Sequence, residues 1–333
     1  MGELRRDPVV GRWVIVDTDH PKKPQDFKYE QYIPGGDLCP FCYGNEFMTP
    51  PEISCLRDPS TVANTPGWQV RVVANKFPAL QIEGELERRG LGIYDMSNGI
   101  GAHEVLIESP YHHKDIPDLL EQEIESYLKV CCTRAVDLSR DSRFKYIMVF
   151  RNYGAAAGAS LEHPHTQLIA LPMVPKNALE EIHGARDYYN YRERCIYCDI
   201  IRQELQDKER VILENKYFLS FCPFVSRFPF EVMIMPKQHS GCFCHMSAEE
   251  VAALARILKE TLTKLKKVFI NLSYNYIFHS GPINGDAGVE YYHWHIEIMP
   301  KLTQVAGFEW GTGFYLDQTP PELAAKYLKE VKD

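Results

Sequence analysis

Four residues in the first half of the sequence have the types and spacing of a metal site: Cys39, Cys42, His112 and His163. A C-x-x-C turn presents two thiolates to one ion, and two distant histidines complete a tetrahedral Cys2His2 zinc site. The chain has 10 cysteines in 333 residues, too few for a disulfide scaffold, so metal binding explains their clustering better. We therefore predict that these four residues bind zinc.

The second half repeats this order with Cys195, Cys198, His239 and His293. A single C-x-x-C pair is a weak signal, because redox-active pairs share it. The same Cys-Cys-His-His order in both halves is a much stronger signal. The sequence therefore predicts a second zinc site of the same kind.

His293 also has a place in a competing arrangement. His293 and His295 point to the same face of a strand. With Glu181 and His279 they would make an oxygen-and-imidazole site suited to iron or zinc. His293 cannot serve both sites at once, and the cysteine pair favours the first arrangement.

The segment around His163 has the composition of a phosphate-binding loop followed by a nucleophile. Only Gly, Ala and Ser occur from Gly154 to Ser160, and such small residues let the backbone turn its N–H groups toward anionic oxygens. His165 lies on the same strand face as His163 and Gln167. An imidazole with a pKa near ~6.5 is partly neutral at physiological pH and attacks phosphorus as a nucleophile. The Gln167 amide can donate to phosphoryl oxygens as charge develops.

The matching segment of the second half reads His293-Trp-His295-Ile-Glu297, with glutamate where the first half has Gln167. It follows a loop at 280–288 that is acidic. A negative side chain at this place would repel a nucleotide phosphate. We therefore expect the first half to carry the nucleophilic chemistry and the second half to serve as a scaffold.

The elements that position these residues also recur. The first half has a strand at 104–110, an amphipathic helix at 117–140, and strands at 145–150 and 167–171. The second half has a strand at 231–236, a helix at 247–268, and strands at 274–278 and 296–299. The helix at 247–268 begins with a capping box, Ser247-Ala-Glu-Glu250. Each half is therefore predicted to be an α+β unit with an antiparallel sheet, present twice.

Two segments interrupt this repeat. An insertion is expected near 45–100, and residues 172–194 are expected to connect the halves. The predicted domains are a catalytic half at 1–175 and a second half at 176–333.

Composition limits the partners and the location. The net charge is −8, and 45% of the residues are hydrophobic, which indicates a globular protein with no general attraction to nucleic acid. The sequence shows no apolar run long enough for a signal peptide or a membrane span. We therefore expect a cytoplasmic protein that binds neither nucleic acid nor membrane.

Three motifs carry a family resemblance. Residues 152–167 fit N-x-G-A-A-x-G-A-S-x-x-H-P-H-x-Q, and residues 39–42 and 109–112 read C-P-F-C and S-P-x-H. These motifs, and nearly the whole chain from about Asp7, resemble the galactose-1-phosphate uridylyltransferase family of galactose metabolism, a branch of the histidine-triad superfamily. The resemblance implies two fused antiparallel half-barrel sheets with helices packed on them, bound zinc and a homodimer.

The resemblance also implies roles for single residues. The family's zinc ligands correspond to the first Cys-Cys-His-His set, and its nucleophile corresponds to His165. The implied nucleotide and phosphate contacts are Asn75, Phe77, Asn152, Gly158, Ser160 and Gln167. The segment 308–315, with Glu309 as an expected substrate contact, is more similar to the related nucleotide-sugar phosphorylases, as is the second C-x-x-C set.

The implied reaction is a ping-pong transfer. His165 takes a nucleoside monophosphate from a nucleotide sugar such as UDP-glucose and passes it to a hexose 1-phosphate such as galactose 1-phosphate. The alternative is a phosphorylase that uses the same histidine with ADP-glucose, or a similar donor, and phosphate. A nucleotide hydrolase and a zinc-stabilised module without catalysis are further alternatives. A second histidine beside the small-residue loop argues against the non-catalytic module.

Overall fold

The residues that the structure describes form one ten-stranded sheet and two smaller sheets of three and two strands. The computed structural model describes residues 2–33, 35, 38–284 and 290–331. Its strands are β1 (Glu3–Arg6), β2 (Trp13–Val16), β3 (Glu52–Arg57), β4 (Trp68–Ala74), β5 (Arg89–Leu91), β6 (Tyr94–Met96), β7 (Ala102–Ile107), β8 (Tyr146–Tyr153), β9 (His165–Leu171), β10 (Val211–Glu214), β11 (Phe218–Phe221), β12 (Val232–Pro236), β13 (Tyr274–His279), β14 (His295–Pro300) and β15 (Tyr315–Asp317). Its helices are α1 (Glu121–Leu138), α2 (Lys176–Arg192), α3 (Ile196–Asp207), α4 (Ala248–Val268), α5 (Gly307–Thr312) and α6 (Pro321–Glu330).

The order of strands in the large sheet shows the repeat directly. It is β10-β11-β12-β14-β13-β8-β9-β7-β4-β3, with every neighbouring pair antiparallel. The strands of the two halves follow mirrored orders and meet at β8 and β13, where Arg151 lies opposite Tyr276. This arrangement confirms the predicted α+β fold with two fused antiparallel sheets. The domain boundary at 175 stays a prediction.

The two long helices pack against each other and against the sheet. Apolar side chains such as Ile124 and Leu128 of α1 and Leu254 of α4 join one core with residues of the central strands. The capping box of α4 is present, because the Glu250 N–H donates to Ser247 Oγ at 3.2 Å and the Ser247 N–H donates to the Glu250 carboxylate at 2.7 Å. Such a cap stabilises a helix by about 1 kcal/mol.

Three segments differ from the sequence prediction. The helix expected at 117–140 is shorter, because a 3-10 turn at Ile116–Asp118 containing Pro117 precedes α1. The segment 45–100 is not wholly an insertion, since β3 and β4 occupy the same places in their half as β10 and β11 do in theirs. The excess lies in the longer connections, above all the one from β4 to β7, which contains the β5–β6 hairpin. The connection at 172–194 is mostly the helix α2.

Candidate active site and metal centres

The first set of predicted metal ligands converges. The ligand atoms of Cys39, Cys42, His112 and His163 lie within 4.8 Å of one another. The Cys42 Sγ is 3.3 Å from His112 Nδ1 and 3.5 Å from His163 Nδ1. The Nε2–H of His163 donates to the carbonyl oxygen of Ser109 at 2.8 Å, so its Nδ1 lone pair faces the thiols. Because an outward hydrogen bond of this kind fixes the tautomer of a metal-binding histidine, the four residues fit a tetrahedral zinc ion.

The second set repeats this geometry. Cys195, Cys198, His239 and His293 also place their ligand atoms within 4.8 Å of one another. The Cys198 Sγ is 3.5 Å from His239 Nδ1 and 3.6 Å from His293 Nδ1. The Nε2–H of His293 donates to the carbonyl oxygen of Pro236 at 2.8 Å. These four residues fit the same kind of ion.

The competing arrangement forms a separate group without His293. Glu181, His279 and His295 place their ligand atoms within 4.8 Å of one another, and the His279 and His295 rings stack with centroids 4.6 Å apart. Burial disfavours the His279 cation, but the Glu181 and Glu297 carboxylates outweigh burial and raise the pKa of His279 to about 10. Because His293 belongs to the second Cys-Cys-His-His set and not to this group, the two arrangements do not compete for His293 in the structure.

His165 has the orientation and the tautomer of a nucleophile. Its Nδ1–H donates to the carbonyl oxygen of His163 at 2.8 Å, so Nε2 keeps its lone pair. Burial lowers the pKa of His165, which favours the neutral, nucleophilic ring. Gln167 lies on the same face of β9, and the side chains of His165 and Gln167 both line one cavity.

That cavity has a volume of about 410 Å³, which is in the range of small-molecule sites. Four expected ligand contacts and the expected nucleophile line it: Asn75, Phe77, Ser160, Gln167 and His165. The side chain of Phe77 is 83% exposed, so the ring is available to stack on the base of a nucleotide. We refer to this cavity as the first-half cavity.

The small-residue loop is shaped by two glycines with positive φ. Gly154 and Gly158 both have φ of 84°, and a Cβ at Gly154 would lie 2.1 Å from the Oγ of Ser273. The Oδ1 of Asn152 accepts a hydrogen bond from the side chain of Asn275 at 2.8 Å. Asn152 and Gly158 are not among the residues that line the first-half cavity, so their nucleotide contacts stay predictions.

Glu309 lies in the short helix α5, apart from the residues that line the first-half cavity. Its carboxylate accepts a hydrogen bond from the N–H of Ala306 at 2.9 Å. Its role in substrate binding stays a prediction.

The second half has a cavity in the corresponding place, of about 390 Å³. Charged groups and histidines line it: Glu181, Arg227, Glu231, His279, His295 and Glu297. Arg227 forms an ion pair with Glu297. Residues 285–288 of the loop at 280–288, which is expected to be acidic, lie outside the described residues. We refer to this cavity as the second-half cavity.

A buried polar network behind β9 is not predicted from the sequence. The Thr166 hydroxyl and the Arg151 Nε–H each donate to Glu108 Oε1 at 2.7 Å. A second carboxylate, Asp115, lies 2.8 Å from the Arg151 guanidinium, and the Tyr276 hydroxyl lies 3.2 Å from Thr166 Oγ1. The available signal is Arg151 itself, because a charged residue in an apolar strand indicates a buried partner.

The sequence prediction also omits His103 of β7. Its Nε2 lies 2.8 Å from Oε1 of Gln167. The available signal is strand alternation, since His103, Val105 and Ile107 share one face of β7.

Comparison with known families decides where the chain belongs. The family model described as "Galactose-1-phosphate uridyl transferase, N-terminal domain" matches residues 2–175, which is more than half of the chain. The chain belongs to this family. A model for a domain of unknown function (DUF4921) matches residues 115–333. The resemblance predicted from the motifs is therefore confirmed, and the chain is an enzyme of the galactose-1-phosphate uridylyltransferase family.

Two curated relatives cover nearly the whole chain. An ADP-glucose phosphorylase of Arabidopsis thaliana is 36% identical over 99% of this chain and 93% of its own length. A galactose-1-phosphate uridylyltransferase of Thermotoga maritima is 30% identical over 100% of this chain and 99% of its own length.

Solved structures show the same fold. The crystal structure of an ADP-glucose phosphorylase from Arabidopsis thaliana with bound ADP-glucose is 35% identical, has a TM-score of 0.84 and covers 100% of both chains. A uridylyltransferase structure is 29% identical, has a TM-score of 0.77 and covers 99% of this chain and 98% of its own.

Among the described residues, each helix is too short or too polar to cross a membrane.

Proposed function

We propose that this protein is a nucleotidyltransferase that works through a covalent nucleotidyl-histidine at His165. One observation carries the proposal: the Nδ1–H of buried His165 donates to the His163 carbonyl, which leaves the Nε2 lone pair for attack. A nucleophile needs this kind of orienting partner, and Gln167 on the wall of the same cavity supplies a donor for the phosphoryl group.

The reaction has two displacement steps at one phosphorus atom. The Nε2 of His165 attacks the α-phosphorus of the nucleotide sugar. The P–N bond forms, the bond from phosphorus to the sugar 1-phosphate oxygen breaks, and the sugar 1-phosphate leaves. An oxygen of the acceptor phosphate then attacks the same phosphorus, and the P–N bond breaks to restore His165. The His163 carbonyl stabilises the positive charge that the imidazole carries in the intermediate.

The first candidate activity is uridylyl transfer from UDP-glucose to a hexose 1-phosphate such as galactose 1-phosphate. The galactose-1-phosphate uridylyltransferase of Thermotoga maritima, which is 30% identical over the whole chain, supports this candidate. The second candidate is a phosphorylase that releases a nucleoside diphosphate from ADP-glucose or a similar donor with phosphate. The higher identity of 36% to an ADP-glucose phosphorylase favours this second candidate.

Metal binding is part of the proposal. Each Cys-Cys-His-His set is proposed to hold one zinc ion, and the group of Glu181, His279 and His295 is a further candidate for iron or zinc. Zinc at the first set would have a structural role, because it would fix His163 and with it the carbonyl that orients His165. A homodimer and a cytoplasmic location stay predictions from the sequence.

The remaining roles follow the two halves. Residues 1–175 are proposed as the catalytic half and residues 176–333 as the supporting half. Asn75, Phe77 and Ser160 are proposed to contact the nucleotide or its phosphates, since they line the first-half cavity.

The experiment that tests the function offers donors and acceptors separately. The metal-loaded protein is incubated with labelled UDP-glucose or ADP-glucose, and the nucleotidylated protein is isolated. Galactose 1-phosphate or inorganic phosphate is then added, and the label released from the protein is measured. Discharge only by galactose 1-phosphate supports the transferase, and discharge only by phosphate supports the phosphorylase. Rapid nucleoside monophosphate release without any acceptor would identify a hydrolase, and turnover without a labelled protein would overturn the covalent mechanism.

A further inference from the structure

His103 makes hydrogen-bond contacts that extend from the backbone to the wall of the first-half cavity. It is not itself among the residues that line the cavity. It lies on β7, and its Nε2 is 2.8 Å from the Oε1 of Gln167 and 3.0 Å from the Nδ2 of Asn75. Both of these amides line the cavity, so His103 lies directly behind two proposed ligand contacts.

A backbone donor decides the tautomer of His103. The N–H of Ala79 donates to Nδ1 of His103 at 3.2 Å. Because a backbone N–H can only donate, Nδ1 must be the acceptor in this hydrogen bond. A neutral imidazole with an accepting Nδ1 carries its proton on Nε2. The Nε2–H therefore donates to the nearer acceptor, the Oε1 of Gln167.

This hydrogen bond fixes which end of the Gln167 amide is free. With Oε1 bound by His103, the NH2 group is the end left to donate into the cavity. Asn75 is fixed in the same sense, because its Oδ1 accepts from the N–H of Phe77 at 2.9 Å and its NH2 cannot donate to a protonated Nε2. Both amides therefore offer hydrogens, rather than carbonyl oxygens, to a ligand.

The direction of the amide matters for phosphoryl transfer. A donor aimed at the phosphoryl oxygens stabilises the charge that develops on them, whereas a carbonyl oxygen in the same place would repel them. We infer that His103 is a positioning residue that holds the amide of Gln167 with its NH2 group toward the phosphates of the substrate. This inference rests on the proposed function, because it acts through Gln167.

The second half has different residues at the two positions that correspond to His103 and Gln167. By strand register, His103 corresponds to Glu231 and Gln167 corresponds to Glu297. There Arg227 forms ion pairs with both carboxylates, Glu231 and Glu297. The two positions therefore lie close together in both halves, but only the first half uses them to present an amide donor.

The experiment measures how fast the nucleotidylated protein forms in a single turnover. His103→Phe keeps a ring of similar size without a donor, and His103→Gln replaces the Nε2–H with an amide donor. We expect His103→Phe to lower the rate of adduct formation by about 10- to 100-fold, since one transition-state donor is no longer fixed. His103→Gln should restore most of the rate.

A double-mutant cycle separates positioning from a general structural role. In a Gln167→Ala background, His103→Phe should cause little further loss, because the group on which it acts is absent. A full additional loss in that background, or an unchanged rate in the single variant, would overturn the inference. If the wild-type protein forms no adduct with either ADP-glucose or UDP-glucose, the proposed function fails instead, so the two failures are distinguishable.

Discussion

The strands β9 and β14 hold the same histidine in the same geometry and surround it differently. His165 and His295 each donate from Nδ1 to the carbonyl oxygen of the histidine two residues earlier, at 2.8 Å and 3.1 Å. On the cavity side, β9 continues with Gln167 and β14 with Glu297. An orientation suited to nucleophilic attack is therefore present twice, and the neighbouring side chains are the basis for proposing a phosphate site beside His165 alone.

The two cavities differ in whether their polar groups are already paired. In the second-half cavity, Glu297 contacts Arg227 and lies 3.4 Å from Nε2 of His279. Those charges neutralise one another within the protein. In the first-half cavity, the proposed amide donors keep hydrogens for a ligand. This difference is the reason that the phosphate site is proposed for the first half alone.

The layers behind the two strands differ as well. Thr166 of β9 pairs with Arg151 of β8, and the matching pair in the second half is Ile296 and Phe278. All four side chains are buried. Buried polar and ionic groups are often no more stabilising than apolar residues of similar size. Their retention behind β9 alone is therefore best explained by a need to hold that strand in place.

The largest expected effect comes from removing each histidine. His165→Ala should lower the transfer rate by on the order of 10⁴-fold or more, because the covalent route is lost. His295→Ala should leave the rate within the same order of magnitude. Steady-state assays, with metal content and circular dichroism as controls for folding, make the comparison. Equal losses in both variants would contradict the division of labour between the halves.

The next largest effects should come from exchanging the side chains at the position where β9 and β14 differ, Gln167 in the first half and Glu297 in the second. Gln167→Glu places a carboxylate against the phosphoryl group and should lower the rate about 10²- to 10³-fold. Glu297→Gln removes the nearer of the two carboxylates that pair with Arg227 and should instead lower the free energy of unfolding by about 3 kcal/mol, with the rate per folded molecule unchanged. Single-turnover rates and denaturant unfolding measure the two quantities. A rate loss in Glu297→Gln alone would reverse the assignment of the halves.

Loss of one thiolate from each Cys-Cys-His-His set is expected to affect stability first. Cys39→Ser and Cys195→Ser should each lower the zinc content by one equivalent and the thermal midpoint by on the order of 10 °C. Only Cys39→Ser should also slow transfer per folded molecule, because His163 carries the carbonyl that orients His165. Metal analysis and calorimetry provide the measurements. Unchanged metal content in either variant would remove that set from the account.

The smallest expected effect concerns the layer behind the strands. Thr166→Val removes one donor to Glu108 and should cost about 1–3 kcal/mol of unfolding free energy. Ile296→Val, its counterpart, should cost about 1 kcal/mol through a small cavity. Only the first variant should also slow transfer, and equal rates in both would show that the polar network has no positioning role.

The metal sets and the repeat could be predicted because their signals lie in residue type and spacing. The pairs at Cys39 and Cys195, and the strand alternation that places His165 with Gln167, are local patterns. The capping box at Ser247 is local too. Each of these features depends on residues that are close in the chain, or on an order that the second half repeats.

The contacts that tune the site depend on the register between strands, which a single sequence does not display. His103 and Gln167 are separated by 64 residues and meet diagonally across β7 and β9. Arg151 reaches Glu108 from another strand of the sheet. Pairing of this kind is set by which faces become buried. Sequence patterns alone therefore predicted His165 as the nucleophile but not the residues proposed to position its partners.

The most direct test is the mass of the intact protein after incubation with UDP-glucose or ADP-glucose in the absence of an acceptor, followed by peptide mapping. The account predicts a mass increase of one nucleoside monophosphoryl group, located on His165, that disappears when the acceptor is added. An adduct on His295 or on any other residue, or turnover with no adduct at all, would contradict it.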